Sequence, residues 1–241
     1  MSGEIVLTKV SKSYKTGAQR VTVLENLSLR CQRGEFISLM GPSGSGKTTL
    51  LNIMAGLDRA DRGEVNVFGM RLDQLSDSAL TAWRSRNVGF VFQFYNLLPA
   101  LRADQNVEVP LMLTRLSGAE RRKRVRAALE LVGLSDRATH RPPQLSGGQL
   151  QRVAIARAIA TDANLMICDE PTGDLDRKAS EEVLDLLRLL CTHHGKTVIL
   201  VTHDPFAAAY GSRLLMLEKE SGGAQLQEHP RPTAAAALKV G

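Results

Sequence analysis

One run in the sequence suits a single kind of chemistry. It is GPSGSGKTT, at Gly41, Pro42, Ser43, Gly44, Ser45, Gly46, Lys47, Thr48 and Thr49. It follows a short apolar stretch, Phe36 to Met40, and leads into the helical run LLNIMAGL. Glycines let consecutive backbone N–H groups converge on phosphate oxygens, and a helix start behind them adds the positive end of its dipole. At this spacing Lys47 pairs with the β- and γ-phosphates of a nucleotide and the Thr48 hydroxyl ligates Mg²⁺.

A second cluster is acidic. Leu165, Met166, Ile167 and Cys168 read as a buried strand ending in Asp169 and Glu170. In open α/β sheets ligands bind beyond the carboxyl ends of the strands. Two adjacent acids there suit a division of labour: Asp169 holds Mg²⁺, largely through its water, and Glu170 orients and deprotonates an attacking water. A third element, LSGGQ, with Ser146, Gly147, Gly148 and Gln149, opens the run LQRVAIARAIA and makes another anion nest at a helix start. Two phosphate-binding elements beside a single such lysine suggest that the second serves the nucleotide of another molecule.

Strand-like and helical runs alternate through most of the chain, the pattern of an α/β protein with a largely parallel sheet. The expected strands are Ile5 to Thr8, Val21 to Leu24, Leu27 to Cys31, Phe36 to Met40, Gly63 to Phe68, Val88 to Val91, Leu165 to Asp169, Thr197 to Thr202 and Leu214 to Leu217. The first few, joined by turn-rich segments, predict an antiparallel edge. Between Gln93 and Gln149 the pattern turns helical, at Val107 to Leu116, Glu120 to Val132 and the segment after Ser146. A helical subdomain over 93–164, inserted into a core of 1–92 and 165–226, is therefore expected. The end, EHPRPTAAAALKVG, has little to bury, so fraying is expected after about Leu226, over 227–241.

With these motifs in place, the chain resembles the ATP-binding-cassette ATPases from about Glu4 to Leu226. The order makes the resemblance specific: phosphate loop, a lone Gln93, LSGGQ, CDEPTGDLD, and His203 after VILVT. The resemblance implies a single cassette over 4–226, with a P-loop NTPase core, a mostly parallel sheet with an antiparallel edge, and an inserted helical subdomain. It implies ATP as substrate and Mg²⁺ held by Thr48, Gln93 and Asp169. Glu170, His203 and Gln93 are its catalytic set, with His203 contacting the γ-phosphate. Tyr14 looks like the aromatic that stacks on adenine. The family also implies a head-to-tail homodimer, or a pair with a second cassette, in which Ser146, Gly147, Gly148 and Gln149 close on the other subunit's ATP and Asp176 faces that subunit.

The segment Phe92 to Leu113 and the TGDLD run are similar to cassettes of lipoprotein-release, macrolide- and peptide-efflux and cell-division complexes. That similarity implies an integral membrane permease as partner, with this subunit on the cytoplasmic side of the inner membrane. Export or extraction of a lipoprotein, peptide or hydrophobic compound is implied; the alternative is a cell-division ATPase that signals without transport. The apolar residues Phe94, Tyr95, Leu97 and Leu98 are the expected docking segment.

Composition agrees with such a protein. Over 241 residues, 43% are hydrophobic and 23% charged, which excludes a disordered chain or a collagen. No run of about 18 apolar residues would cross a bilayer, and the charged N-terminus lacks the centre of a signal peptide. Three cysteines at wide spacing, Cys31, Cys168 and Cys191, predict buried reduced thiols and a cytoplasmic compartment. The net charge of +6 favours polyanions. Its densest run, Arg121, Arg122, Lys123, Arg124 and Arg126, has no interleaved aromatics and reads as a solvated helix face rather than a nucleic-acid surface.

Overall fold

The computed structural model describes residues 4–17, 19–220 and 223–230. The chain divides into two units, Met1–Arg84 with Ile199–Gly241, and Ser85–Val198.

In the first unit, β1 (Ile5–Thr16) and β2 (Gln19–Cys31) form an antiparallel pair, and β4 (Arg62–Val67) flanks β1 on the other side. Leu24, Leu27, Leu29 and Cys31 of β2 turn inward. The sequence suggested two strands here, Val21 to Leu24 and Leu27 to Cys31. Instead β2 runs through unbroken, because Asn26 adopts a φ of 50° and β1 takes up the offset in register shifts between Leu7 and Ser13. Beyond β3 (Phe36–Met40), β5 (Met70–Arg71), β9 (Arg213–Glu220) and β10 (Gly223–His229), the strand order within this unit is β5-β4-β1-β2-β10-β9-β3. β3 and β9 are parallel, with Ile37 opposite Arg213 and Met40 opposite Met216. Helices α1 (Lys47–Met54) and α7 (Pro205–Ala208) belong to this unit, and α2 (Asp77–Asn87) leads out of it.

Fraying after Leu226 is not what the structure has. Gln227, Glu228 and His229 continue β10 opposite Met216, Leu215 and Leu214, and Arg213 grips Glu228 with two bonds of 3.0 and 2.9 Å. A hairpin partner and this ion pair supply what the short polar segment could not bury. Residues 231–241 of the expected tail lie outside the described residues.

The second unit is built round α5 (Gly147–Ile159), which packs on β6 (Val88–Phe92), α3 (Ala103–Glu108), α4 (Gly118–Leu131) and α6 (Arg177–His194). Its Val153, Ala154, Ile155 and Ala156 are fully buried. The helix lies so close to β6 that a Cβ on Gly89 would stand 2.5 Å from the Ala158 carbonyl oxygen. β6 runs parallel to β7 (Leu165–Asp169), and β8 (Thr197–Val201) carries the chain back to the first unit. The division therefore differs from the expected 93–164: β6 and α6 go with the helices because they pack on α5, and β7 goes with them because it pairs with β6.

The expected helix Val107 to Leu116 is also shorter. α3 ends at Glu108 and a 3₁₀ turn, Val109–Leu113, follows. Pro110 removes a backbone donor there and its ring clashes with a continuing α-helix. On α4, Val125, Ala128 and Leu129 are buried while Arg122, Lys123, Arg124 and Arg126 face solvent, the solvated face expected. Cys31, Cys168 and Cys191 are buried and not joined in disulfides, and burial pushes the Cys168 thiol well up. Among the described residues no helix is long and apolar enough to cross a membrane.

Candidate active site

The phosphate loop leaves β3 and enters α1 through glycines in the left-handed region, Gly44 at φ 74° and Gly46 at 99°. Gly41, at φ 151°, passes so close to β9 that a Cβ would stand 2.4 Å from the Leu217 carbonyl oxygen. By contrast nothing lies within 4 Å of a Cβ on Gly44, so the loop keeps an open cradle on that side. The Lys47 ammonium donates to the carbonyl oxygens of Gly41 and Pro42 at 2.8 and 2.9 Å, which holds it over the loop. Thr48 and Thr49 follow on the first turn of α1.

Tyr14, on β1, sits in a cluster that sequence reasoning missed. Its hydroxyl donates to Asp58 at 2.6 Å, Lys12 donates to the other oxygen of that carboxylate at 2.6 Å, and the Lys12 ammonium lies 5.0 Å from the centre of the Tyr14 ring. Thr49 also hydrogen-bonds the phenol. Burial, then the bond to Asp58, push the Tyr14 phenol above its ordinary value. For Asp58, burial acts upward but the bonds from Lys12, Tyr14 and the Arg59 N–H outweigh it and hold the carboxyl low. Tyr14 stays 38% exposed. His203 is exposed just beyond β8, where the Thr202 N–H donates to the Leu39 carbonyl of β3 at 3.2 Å. The strand that carries His203 is thus tied to the strand that launches the phosphate loop.

In the second unit, Phe92 lies opposite Asp169 across the β6–β7 pair, so Gln93 and Glu170 leave the same edge of two parallel strands. Glu170 has a φ of 49°, in the left-handed region that a non-glycine residue rarely adopts. Its carbonyl accepts from the Gly173 N–H at 3.1 Å, closing a tight turn. The Gln93 amide donates to Asp174 at 3.1 Å and lies against Gly173, where a Cβ would come 2.9 Å from its nitrogen. Gln93 therefore stands against the loop that follows the two acids.

Ser146 caps α5: its hydroxyl accepts from the Gln149 N–H at 3.3 Å, and the Gln149 carboxamide accepts from the Ser146 N–H at 2.9 Å. A Cβ on Gly147 would stand 3.1 Å from the Tyr95 hydroxyl, and one on Gly148 3.0 Å from Ala179 Cβ. Asp176 caps α6 by accepting from the Ala179 N–H at 2.8 Å.

The segment after Gln93 is held from behind. Asn106, fully buried, accepts from the Leu98 N–H at 2.7 Å and donates to the carbonyls of Leu98, Leu101 and Arg102. Of the four apolar residues expected to dock a partner, Phe94 (72% exposed) and Leu98 (49%) point outward, while Tyr95 and Leu97 are half-buried. Met112 and Leu113, which a helix over Val107 to Leu116 did not distinguish, are 66% and 81% exposed. The only signal for that exposure was Pro110.

Comparisons with known proteins agree with this arrangement. The family model for the ABC transporter matches residues 24–173. The chain is 47% identical over 218 residues to the ABC transporter ATP-binding protein MJ0796 of Methanocaldococcus jannaschii, covering 89% of this chain and 93% of that protein. It is 43% identical over 237 residues to the macrolide export ATP-binding/permease protein MacB 1 of Yersinia pestis, covering 98% of this chain but 36% of the relative. A solved structure of the MJ0796 cassette, a dimeric post-hydrolysis state bound to ADP and Pi, is similar with a TM-score of 0.82 and 44% identity over 93% of this chain and 98% of that one. The chain therefore belongs to the ABC transporter family. It is an ATP-binding cassette with the P-loop NTPase fold, and its activity is that of an ATPase.

Proposed function

We propose that this cassette works as a head-to-tail dimer that hydrolyses ATP to drive a separate membrane permease, for export or extraction of a lipoprotein, peptide or hydrophobic compound. In this reading Lys47 and the loop N–H groups neutralise the phosphates, Tyr14 stacks on adenine, and His203 contacts the γ-phosphate. Glu170 takes a proton from the attacking water, whose oxygen bonds to the γ-phosphorus as the bond to the bridging β–γ oxygen breaks, leaving ADP and phosphate. The hydroxyl of Thr48, the carboxylate of Asp169 and the amide oxygen of Gln93 are hard donors of the kind Mg²⁺ takes. Bound there, the ion would neutralise phosphate charge. Ser146 to Gln149 and Asp176 would meet the partner cassette.

The observation that supports a permease partner is the exposure of Phe94 and Leu98 directly after Gln93, where Asn106 holds the Leu98 backbone, with Met112 and Leu113 exposed in the 3₁₀ turn after α3. The MacB relative, named as an ATP-binding/permease protein and matched over 36% of its length, supports it too. A partner that places the cassette on the cytoplasmic face of the inner membrane follows from the same reading. The test is Leu98→Glu, chosen because its side chain already faces outward. ATP hydrolysis by the isolated subunit should stay within about twofold while co-purification with the membrane protein from the native host is lost. Normal assembly of that variant would show that docking lies elsewhere.

A further inference from the structure

Tyr95 and Asn96 stand side by side at φ 55° and 49°, two consecutive non-glycine residues in the left-handed region. Such a pair persists only where its surroundings hold it. The hold comes from Arg157, ten residues past Gly147 on α5. Its guanidinium donates to the Tyr95 carbonyl at 2.8 Å through one nitrogen and to the Asn96 carbonyl through the other. The planar fork of an arginine suits two adjacent carbonyls that point the same way, and a lysine could not reproduce it. Burial of this side chain pushes its pKa down, which is a cost that a solvated surface arginine would not carry.

The same helix reaches this loop at two further points. Gln151, fully buried, donates to the Phe92 carbonyl at 3.3 Å, and Gly147 leaves room for the Tyr95 hydroxyl. One rigid helix therefore begins at the signature serine and grips, along its length, the loop that carries Gln93. We infer that Arg157 is a positioning residue: by fixing the left-handed turn at Tyr95 and Asn96 it ties the Gln93 loop to the signature helix, so that the two move as one body. This rests on the reading of Gln93 as part of the hydrolytic site, and the experiment separates the two.

Arg157→Met keeps an unbranched stem and removes both donors. In the full chain it should speed amide hydrogen exchange across residues 94–98 while leaving α6 protected. It should also lower kcat for ATP roughly 10- to 100-fold with KM within about twofold, the signature of a misplaced group rather than lost binding. Asn96→Gly in the Arg157→Met background should restore much of kcat, because glycine takes the left-handed conformation without a side-chain clash. A side chain that merely fills space would not be rescued by a glycine in the loop. If Arg157→Met fails to fold, Arg157→Lys, which keeps the charge but offers a single donor nitrogen in place of the two-nitrogen fork, should show the same effects at smaller size. Unchanged exchange at 94–98, or a lowered kcat that Asn96→Gly does not rescue, would overturn the inference. Faster exchange with unaltered kcat would leave the clamp standing and remove Gln93 from the site.

Discussion

The loops before α1 and α5 both put glycine at a helix start, where the first four backbone N–H groups lack intrahelical partners. At α1 the capping residue is Gly46, itself left-handed, and no side chain caps the helix. At α5 the cap is Ser146 in an extended conformation, closed by a reciprocal box with Gln149. The first loop thus leaves its donors to a ligand, whereas the second has already committed some of them to itself. The glycines differ as well. Gly44 has a positive φ with nothing near its Cβ position, and Gly46 combines a positive φ with a Cβ position 2.8 Å from Val23, while Gly147 and Gly148 have no positive φ but face Tyr95, Leu175 and Ala179 at 3.0 to 3.2 Å. Similar composition at a helix start is therefore no guide to how strongly the loop holds phosphate. On the function proposed above, the α1 loop would bind ATP by itself and the α5 loop would complete a site on a nucleotide held by a second cassette.

The largest effect should separate the two loops. Lys47→Ala should weaken ATP binding by the isolated subunit by roughly 30- to 1000-fold, the usual consequence of truncating one partner of a charged pair. Ser146→Arg should leave that binding within about twofold yet abolish turnover. In a Glu170→Gln background, where hydrolysis is arrested and an ATP-bound dimer should accumulate on size exclusion, adding Ser146→Arg should return the protein to monomer. Equal loss of binding in the Lys47 and Ser146 variants, by fluorescent-nucleotide titration, would break the distinction.

A smaller effect tests why each glycine is there. Gly44→Ala meets no atom within 4 Å, so its whole cost is the strained φ, about 1–2 kcal/mol. Gly148 has no positive φ, and a methyl there would press on Ala179 at 3.0 Å. The α5–α6 packing must shift by a few tenths of an ångström to admit it. Urea unfolding gives both stabilities. Ala179→Gly should rescue Gly148→Ala and do nothing for Gly44→Ala, and the opposite pattern would reverse the two explanations.

How much of this was legible beforehand follows from the range over which each feature is determined. The phosphate loop, the acids at the end of β7 and the signature loop are contiguous runs, so the sequence alone places them between β3 and α1, at the end of β7 and at the start of α5, where the structure has those elements. The brace behind them was not. Asp58 reaches Tyr14 across 44 residues, Arg157 reaches Asn96 across 61, and neither belongs to a local pattern. Asn106 reads as one polar residue in a helix, although it secures the backbone from Leu98 to Arg102. Strand boundaries failed where one long strand absorbs an irregularity at Asn26. β10 was not expected at all, and fraying was expected where it ends, because that end is held by pairing with β9 and by Arg213 on the neighbouring strand, which hydropathy does not register.

The smallest effect concerns Ser146, which on this account does two jobs. As a cap it accepts from the Gln149 N–H, and its loss in Ser146→Ala should cost about 1 kcal/mol of stability, measured by urea unfolding of the isolated subunit. As part of the signature loop it would offer a hydroxyl to the phosphates held by a second cassette. Aspartate separates the jobs, because its carboxylate caps a helix about as well as serine and favours the positive end of the dipole. Ser146→Asp should therefore unfold within about 0.5 kcal/mol of the parent, since a good cap replaces a good cap. It should nevertheless hydrolyse ATP poorly, since a fixed negative charge would face the γ-phosphate across the dimer. No such exchange is available at α1, where the cap is a glycine with no side chain to trade. If Ser146→Asp is as active as the parent, the serine is a cap and nothing more, and the α5 loop reaches phosphate through its backbone alone.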